Sequence, residues 1–182
     1  MVLRCFAVFL TTLVTLSAQA QSCDRTVPTD HATIGAAISA ASTDDIICVL
    51  AGTYYETVDF LGKDVHLLGL GGAAATTIDA NGWDAAVVFE SGESSDAILE
   101  GFTLTGGVAD YGGGINIVSS GPTLTNLVVS DNDAWYYGGG ISSYYGYPTL
   151  SNVVVTDNVT QGSGGGLVVW GGSADMTNVI VA

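Results

Sequence analysis

The chain from Gly112 onward is built from a segment that recurs every 26 residues. Each copy opens with three glycines and an aliphatic residue, at positions 112–115, 138–141 and 164–167. A second segment, 122–132, returns at 148–158 with the same spacing, and part of it returns at 176–182. A fixed period without insertions indicates a solenoid, in which each repeat buries its apolar face only against its neighbours.

Within each repeat, short aliphatic and β-branched runs alternate with Gly, Pro, Ser and Asn. In the first copy the runs lie at 115–118, 123–125 and 127–129. This pattern predicts three short strands and three turns per coil, with no helical spacing. Strands stacked about 4.8 Å apart on their equivalents form an all-β, parallel β-helix. Its predicted interior columns are Ile115/Ile141/Leu167, Leu124/Leu150/Met176 and Leu127/Val153/Val179.

The first 45 residues predict an export signal and a cap. Residues 1–20 combine Arg4, a short apolar stretch and a small-residue cleavage site ending at Ala20, as in a secretory signal peptide. A lipoprotein with Cys23 as the lipidated residue is the alternative, although the two preceding residues do not form a lipobox. Residues 21–45 are predicted to form a tail and a capping helix over 33–42, with Thr33 or Asp30 as N-cap. Residues 46–182 form the predicted β-helix, whose last coil stops midway, so we expect either further chain beyond Ala182 or another molecule that covers this coil.

Four motifs in residues 33–80 follow one another in a distinctive order. They are Ala36-Ala37-Ile38 in the helix, Gly52-Thr53-Tyr54 at a strand end, Gly62-Lys63, and Thr77-Ile78-Asp79. With the repeats, these motifs resemble the pectin-lyase-like superfamily, which implies a single-stranded right-handed parallel β-helix. The repeats are loosely similar to those of polymorphic outer-membrane proteins, but Thr123, Thr149 and Asp175 stand where that family has Phe.

The charge balance limits the partners. After removal of the signal, 18 acidic residues face only Arg25 and Lys63. Such a surface repels nucleic acid and anionic membranes, and it repels polyanionic glycans unless divalent cations bridge the two. The mature sequence also contains no stretch long enough for a transmembrane helix. Cys23 and Cys48 remain in a compartment that permits oxidation, so a disulfide between them is one prediction and two free thiols the alternative.

Two sets of polar residues share the 26-residue spacing. Asn126, Asn152 and Asn178 are predicted to form an internal ladder that satisfies turn backbone groups, with Asn132 and Asn158 as a second ladder. Stacked Asp131 and Asp157, with Asp133 nearby, suggest either a Ca²⁺ site or solvated turn residues. Residues 158–160 match a glycosylation acceptor, which applies only in a eukaryotic source.

Aromatic residues are the best candidates for ligand binding. Tyr144 and Trp170 occupy one predicted column that starts at Val118, and other aromatics are expected in the neighbouring turns. The full candidate set is Trp135, Tyr136, Tyr137, Tyr144, Tyr145, Tyr147 and Trp170. Rigid aromatic platforms suit sugar rings or a protein partner. The alternative is that these rings only cover neighbouring coils.

The sequence favours a secreted or cell-surface scaffold that binds a glycan or a protein, as adhesins do, without catalysis. The alternative is a carbohydrate-active enzyme, a polysaccharide lyase or a glycoside hydrolase. The resemblance implies that lyases use Ca²⁺-binding aspartates with an Arg or Lys base, yet Lys63 lies far from the Asp131 and Asp157 stack. No pair of catalytic residues stands out by motif. An ice-binding solenoid is a remote alternative, based on the hydroxyl column Thr125/Ser151/Thr177.

Overall fold

A computed structural model describes residues 22–182 as a parallel β-solenoid of about six turns. The predicted signal peptide, residues 1–20, lies outside the described residues. The elements are α1 (Ile34–Ala40) and the strands β1 (Arg25–Val27), β2 (Ile46–Val49), β3 (Gly52–Tyr55), β4 (Val58–Asp59), β5 (His66–Gly69), β6 (Thr76–Asp79), β7 (Val87–Phe89), β8 (Ile98–Glu100), β9 (Thr103–Thr105), β10 (Val108–Tyr111), β11 (Ile115–Val118), β12 (Thr123–Ser130), β13 (Asp133–Tyr137), β14 (Ile141–Tyr144), β15 (Thr149–Thr156), β16 (Val159–Thr160), β17 (Leu167–Trp170) and β18 (Asp175–Val181).

The strands form three sheets in which the pairings are parallel. Sheet A has ten strands and runs through β1, β2, β5, β8, β12, β9, β6 and β3, with β15 and β18 added beyond β12. Sheet B has five strands, in the order β17, β14, β11, β7 and β4. Sheet C has three strands, in the order β10, β13 and β16. Each strand therefore pairs with the equivalent strand of a neighbouring turn.

The predicted stacking of equivalent residues is confirmed by the register. Ile115 pairs with Ile141 and Ile141 with Leu167 on sheet B. The Leu124/Leu150/Met176 and Leu127/Val153/Val179 columns are aligned in the same way on sheet A. The members of the first two repeats are buried, whereas Met176 is 52% exposed. Met176 lies on β18, which pairs only with β15 among the described strands.

The predicted division of each repeat into strands is wrong in two places. The runs 123–125 and 127–129 belong to one strand, β12, because Asn126 adopts a left-handed conformation (φ 54°) that kinks the strand without ending its ladder. In the preceding turn the same position is Gly101 (φ 80°), and there the strand is divided into β8 and β9. The other missed strand is β13, which supplies the middle of sheet C.

Helix α1 covers the amino-terminal end of the solenoid, and its boundaries follow the predicted capping signal. The Thr33 hydroxyl accepts a hydrogen bond from the amide of Ala36 (3.1 Å), which makes Thr33 the N-cap. The Glu56 carboxylate accepts from the amides of Ile34 and Gly35, at 2.9 Å each. These bonds satisfy amides at the start of the helix that have no partner within it.

Both basic side chains of the described residues hold the other end of α1. The Lys63 ammonium donates to the carbonyl oxygens of Ile38 (2.8 Å), Ser39 (2.7 Å) and Ala41 (2.8 Å). Arg25 donates to the carbonyl of Ala40 (2.7 Å) and pairs with Asp45. Cations stabilise the carboxyl-terminal end of a helix, where carbonyl groups point outward.

The predicted tail is ordered and belongs to the solenoid. Its strand β1 pairs in parallel with β2, and the register aligns Thr26 with Cys48. A disulfide joins Cys23 to Cys48, with their Cα atoms 5.6 Å apart. The tail therefore extends sheet A by one strand, and a covalent bond ties it to the first full turn.

Candidate ligand groove

A groove of about 460 Å³ lies on the outer face of sheet B, at turns that contain the 26-residue repeats. Ile115 and Ile117 on β11 point into the core, so the alternate residues Asn116 and Val118 lie on the outer face. The same alternation holds on β14 and β17. The groove is lined by Tyr111, Asn116, Val118, Tyr137, Ser142, Ser143, Tyr144, Val168 and Trp170.

The floor of the groove is a single column of outward residues. Asn116 pairs with Ser142, and Ser142 pairs with Val168. Ser142 is only 5% exposed although it lies on the outer face, so other groups of the groove cover it. The Oδ1 atom of Asn116 is buried and has no hydrogen-bond partner. Along the column the floor changes from an amide through a hydroxyl to an aliphatic side chain.

Aromatic rings form both walls. The second outward column of sheet B is Val118/Tyr144/Trp170, as the sequence predicted. Tyr111 and Tyr137 come from sheet C, with ring centroids 6.0 Å apart and nearly parallel planes. The rings of Tyr137 and Trp170 are also 6.0 Å apart, inclined at 60°. Rings from two sheets therefore meet across the Ser142 floor.

The pKa of Tyr144 is raised, first by the neighbouring Tyr145 phenol and then by partial removal from water. The two rings meet edge to face, with centroids 4.5 Å apart. Because the ordinary tyrosine pKa of 10.0 is already far above neutrality, Tyr144 presents a protonated hydroxyl to the groove. A protonated phenol both donates and accepts hydrogen bonds.

The position of Tyr145 depends on a glycine in the next turn. Tyr145 and Gly171 both adopt positive φ, 51° and 73°, at the same turn. A Cβ atom at Gly171 would lie 2.6 Å from the Tyr145 ring. The glycine thus supplies both the backbone conformation and the space in which the Tyr145 ring lies beside Tyr144.

The structure brings together only part of the aromatic set that the sequence singled out. Tyr137, Tyr144 and Trp170 line the groove. Tyr136 packs on Tyr111 (5.5 Å), and Tyr145 supports Tyr144. Trp135 and Tyr147 are exposed and do not line it.

The expected set of aromatic residues requires one correction and one addition. Residues 135–137 were expected in a turn, but they lie on β13, whose ladder to β10 and β16 suits aromatic side chains. Tyr111 is a wall residue that the sequence analysis missed. It directly precedes Gly112, just as Tyr137 precedes Gly138, and this shared position was the available signal.

The Asn126, Asn152 and Asn178 side chains form the predicted ladder, but on the outside of the solenoid. Asn178 donates to Asn152 Oδ1 (2.7 Å), and Asn152 donates to Asn126 Oδ1 (3.2 Å). Asn126 in turn donates to Glu100 (3.0 Å), whose other oxygen lies 3.0 Å from His66 Nε2. All three asparagines are exposed, because the left-handed kink turns each side chain away from the core. The expectation of an internal ladder at these positions is therefore wrong.

The internal ladder is the second pair, Asn132 and Asn158. Asn132 is 2% exposed, and its amide nitrogen donates to Asn158 Oδ1 (3.0 Å) and to the Leu104 carbonyl (3.1 Å). Its oxygen accepts from the amide of Gly107 (2.9 Å). The Asn158 nitrogen donates to the Val129 carbonyl (2.8 Å). Because both side-chain atoms of Asn158 are bonded between turns, the folded chain does not present this asparagine as a glycosylation acceptor.

The three aspartates considered for Ca²⁺ do not form a cluster of ligands with other acidic residues. Asp131 and Asp157 are exposed turn residues with φ of 57° and 55°, a conformation that Asp tolerates better than most residues. Asp133 lies on β13, beside Val108 and Val159 in the register. Within residues 22–182, no three His, Cys, Asp or Glu side chains gather to hold a metal ion.

One buried carboxylate was not anticipated. Glu93 is 2% exposed and accepts hydrogen bonds from the amide of Gly62 (2.8 Å) and the hydroxyl of Ser120 (2.8 Å). These partners lie in the turns on either side of Glu93, so the carboxylate links three successive turns. Its donors account for its burial, and it does not reach the groove.

Comparisons with family profiles, curated proteins and solved structures found no match. Within the described residues, no helix has the length and apolar character needed to cross a membrane.

Proposed function

We propose that this chain is an exported, non-catalytic binding protein of the right-handed, pectin-lyase-like β-helix type, and that its sheet B groove holds a glycan. The observation that carries this proposal is the lining itself: four aromatic rings surround a small polar and aliphatic floor, and no carboxylate lines the groove. Pockets with aromatic walls and few polar groups are typical of ligand sites.

The composition of the groove disfavours catalysis. Glycoside hydrolysis requires two carboxyl groups on either side of the scissile bond. Uronate elimination requires a base and a cation that stabilises the developing charge. Lys63 has its ammonium bonded to three helix carbonyls, and Arg25 is held by Ala40 and Asp45, so neither serves the groove.

Export is supported by residues 1–20, which have the pattern of a secretory signal, and by the Cys23–Cys48 disulfide, which is compatible with an oxidising compartment. The large excess of acidic residues favours a neutral surface or glycan over nucleic acid as the partner.

The test is retardation of the purified protein in gels that contain soluble polysaccharides, among them xylan, β-glucan, mannan and pectin. We expect retardation by at least one glycan, and we expect Trp170→Ala and Tyr137→Ala to abolish it. Trp83→Ala is the matched control, because Trp83 is 72% exposed and lies outside the groove. Retardation that survives Trp170→Ala would place binding elsewhere and overturn the proposal.

Catalysis is tested with the same glycans. We expect no new reducing ends and no unsaturated products, with or without Ca²⁺. Turnover of any of these glycans would replace the binding function with that of a polysaccharide lyase or a glycoside hydrolase.

A further inference from the structure

The last turn that the structure describes, residues 159–182, leaves the interior columns of the solenoid uncovered at the carboxyl-terminal end. Leu150 and Val155 are fully buried. Met176 and Val181, which occupy the same two columns one turn later, are 52% and 50% exposed. The apolar interior is therefore open at this end, and an exposed apolar patch on a soluble protein is typical of an interaction surface.

The same end presents unpaired backbone groups. Alternate amides of a strand point toward opposite neighbours. The amides of Asp175 and Ala182 donate to carbonyls of the preceding turn, at 3.1 and 3.0 Å. The amides of Met176 and Val181 therefore point away from β15, toward the open end. Strand β18 contains neither a lysine nor a proline, the residues that commonly protect such an edge from another strand.

The open end is nearly neutral, unlike the rest of the chain. The sequence has 18 acidic residues, and only one of them, Asp175, lies between 159 and 182. That segment contains no lysine, arginine or histidine. Two copies of this chain repel each other across their acidic surfaces, but the repulsion is small when they approach through this end. The charge distribution therefore favours contact between copies here rather than elsewhere.

A second copy also matches the open end in shape. The edges of β16, β17 and β18 are open there, and a partner that covers all three at once needs the cross-section of the solenoid itself. Helix α1 covers the opposite end, so head-to-tail stacking has no free edge to use. Two copies related by a two-fold axis place their carboxyl-terminal ends face to face, with antiparallel edges, and the assembly closes as a dimer.

We propose that the carboxyl-terminal end of the solenoid is an interface with a second copy of this chain. Strand β18, the longest of the three edges with seven residues, pairs antiparallel with the β18 of that copy. The turn contains 24 residues, from 159 to 182, which is comparable to one side of a standard interface, roughly 20–30 residues. The glycan groove reaches this turn through Val168 and Trp170, so the dimer has one groove on either side of the interface. The interface itself does not depend on glycan binding.

The experiment is sedimentation velocity of the purified protein over a wide range of concentrations. We expect a dimer with a dissociation constant in the micromolar range or below, and no larger species. Met176→Asp places a carboxylate at the interface of each copy, and Val181→Pro removes an amide that points to the open end. We expect each variant to weaken the dimer at least tenfold. Leu61→Asp is the matched control for charge, because Leu61 is 48% exposed and lies outside the last turn.

Hydrogen exchange shows whether the contact is at this end. The amides of Met176 and Val181 should exchange more slowly as the protein concentration rises, whereas exchange of the α1 amides should not depend on concentration. Urea unfolding of each variant verifies that the solenoid is intact. If a variant is strongly destabilised, the concentration dependence of amide exchange in the unmodified protein decides the question.

Three results would overturn the proposal. The first is a protein that stays monomeric at every concentration. The second is a dimer that neither Met176→Asp nor Val181→Pro weakens, with amide exchange at Met176 independent of concentration. The third is a stack that lengthens with concentration, which would require a contact other than the closed pairing of two identical ends.

Discussion

The amide nitrogen of Asn132 donates to Oδ1 of Asn158, 26 residues later in the chain, at 3.0 Å. The same oxygen accepts from the backbone amide of Asn132 at 3.1 Å. One side-chain atom therefore links the backbone and the side chain of the equivalent residue in the neighbouring turn. Asn132 is buried and Asn158 half-buried, so water has little access to these bonds.

Replacement of Asn132 is expected to be far more damaging than replacement of the exposed Asn126. Asn132→Ala removes the acceptor of the Gly107 amide and the side-chain donor to the Leu104 carbonyl and Asn158 Oδ1, and should lower the free energy of unfolding by about 3–4 kcal/mol. Asn126→Gly is the control, since it keeps the left-handed backbone and removes only exposed bonds, for a loss of about 1 kcal/mol or less. Urea unfolding measures both. Equal losses would contradict the internal role of Asn132.

Gly140 is expected to tolerate no side chain. A Cβ atom there would lie 2.6 Å from both the Gly166 carbonyl oxygen and Val155 Cγ1, so Gly140→Ala should destabilise the fold by about 2–3 kcal/mol or more. The control is Gly72→Ala, where nothing lies within 4 Å and only the positive φ of 65° is unfavourable, for about 1 kcal/mol. Urea unfolding tests this difference in stability: the midpoints of the two variants are compared, provided that the free energy of unfolding depends equally steeply on urea concentration in both. A Gly140→Ala midpoint above that of Gly72→Ala would show that neighbouring turns separate easily.

Lys63 is expected to be important for stability rather than for chemistry. Lys63→Met removes three hydrogen bonds to the carbonyls at the end of α1, and we expect a loss of about 2–4 kcal/mol. Gln161→Glu is the matched control, because it makes the net charge more negative by the same amount at an exposed position. Thermal unfolding followed by circular dichroism is the measurement. If both variants have the same melting temperature, net charge rather than helix capping explains the loss of stability.

The stability of the first turn is expected to fall at alkaline pH through Tyr54. Burial, and then the Glu56 carboxylate, raise the pKa of Tyr54 above its ordinary value of 10.0. The protonated phenol is therefore favoured in the folded chain, and its contribution is complete below pH 10.0 and lost as the pH rises through the raised value. Tyr54→Phe also loses the hydrogen bond to the Leu50 carbonyl (2.9 Å), so it is less stable at neutral pH. The difference in the free energy of unfolding between Tyr54→Phe and the unmodified protein should shrink above pH 10.0 when it is measured by urea unfolding. A difference that stays constant with pH would exclude this linkage.

The sequence was sufficient to predict the solenoid and its register, because repeats without insertions align only one way. The columns through Ile115 and Leu124 follow directly from the 26-residue spacing. The N-cap at Thr33 was also predictable, since a threonine before a segment with helical apolar spacing can accept a hydrogen bond from an amide of the first turn. Local signals and exact periodicity therefore accounted for the architecture.

The errors arose where backbone conformation changes the direction of a side chain. Alternation along a strand predicts which side chains point inward, but a left-handed residue such as Asn126 resets that alternation. Spacing alone consequently did not distinguish the exposed ladder at Asn126 from the buried ladder at Asn132. The groove was only partly predictable for a related reason: Tyr111 and Tyr137 reach it from sheet C, and its strand β13 was not recognised.

The use of both cations at α1 has a practical consequence for anyone handling this protein. No lysine or arginine lies between residues 64 and 182, so trypsin has no cleavage site within that segment, folded or unfolded. Lys63 is also the only lysine in the sequence, and its ammonium is engaged by three carbonyls. Amine-reactive dyes are therefore expected to label that side chain more slowly while the amino-terminal cap is in place, so its labelling rate, resolved from that of the α-amino group, reports cap opening.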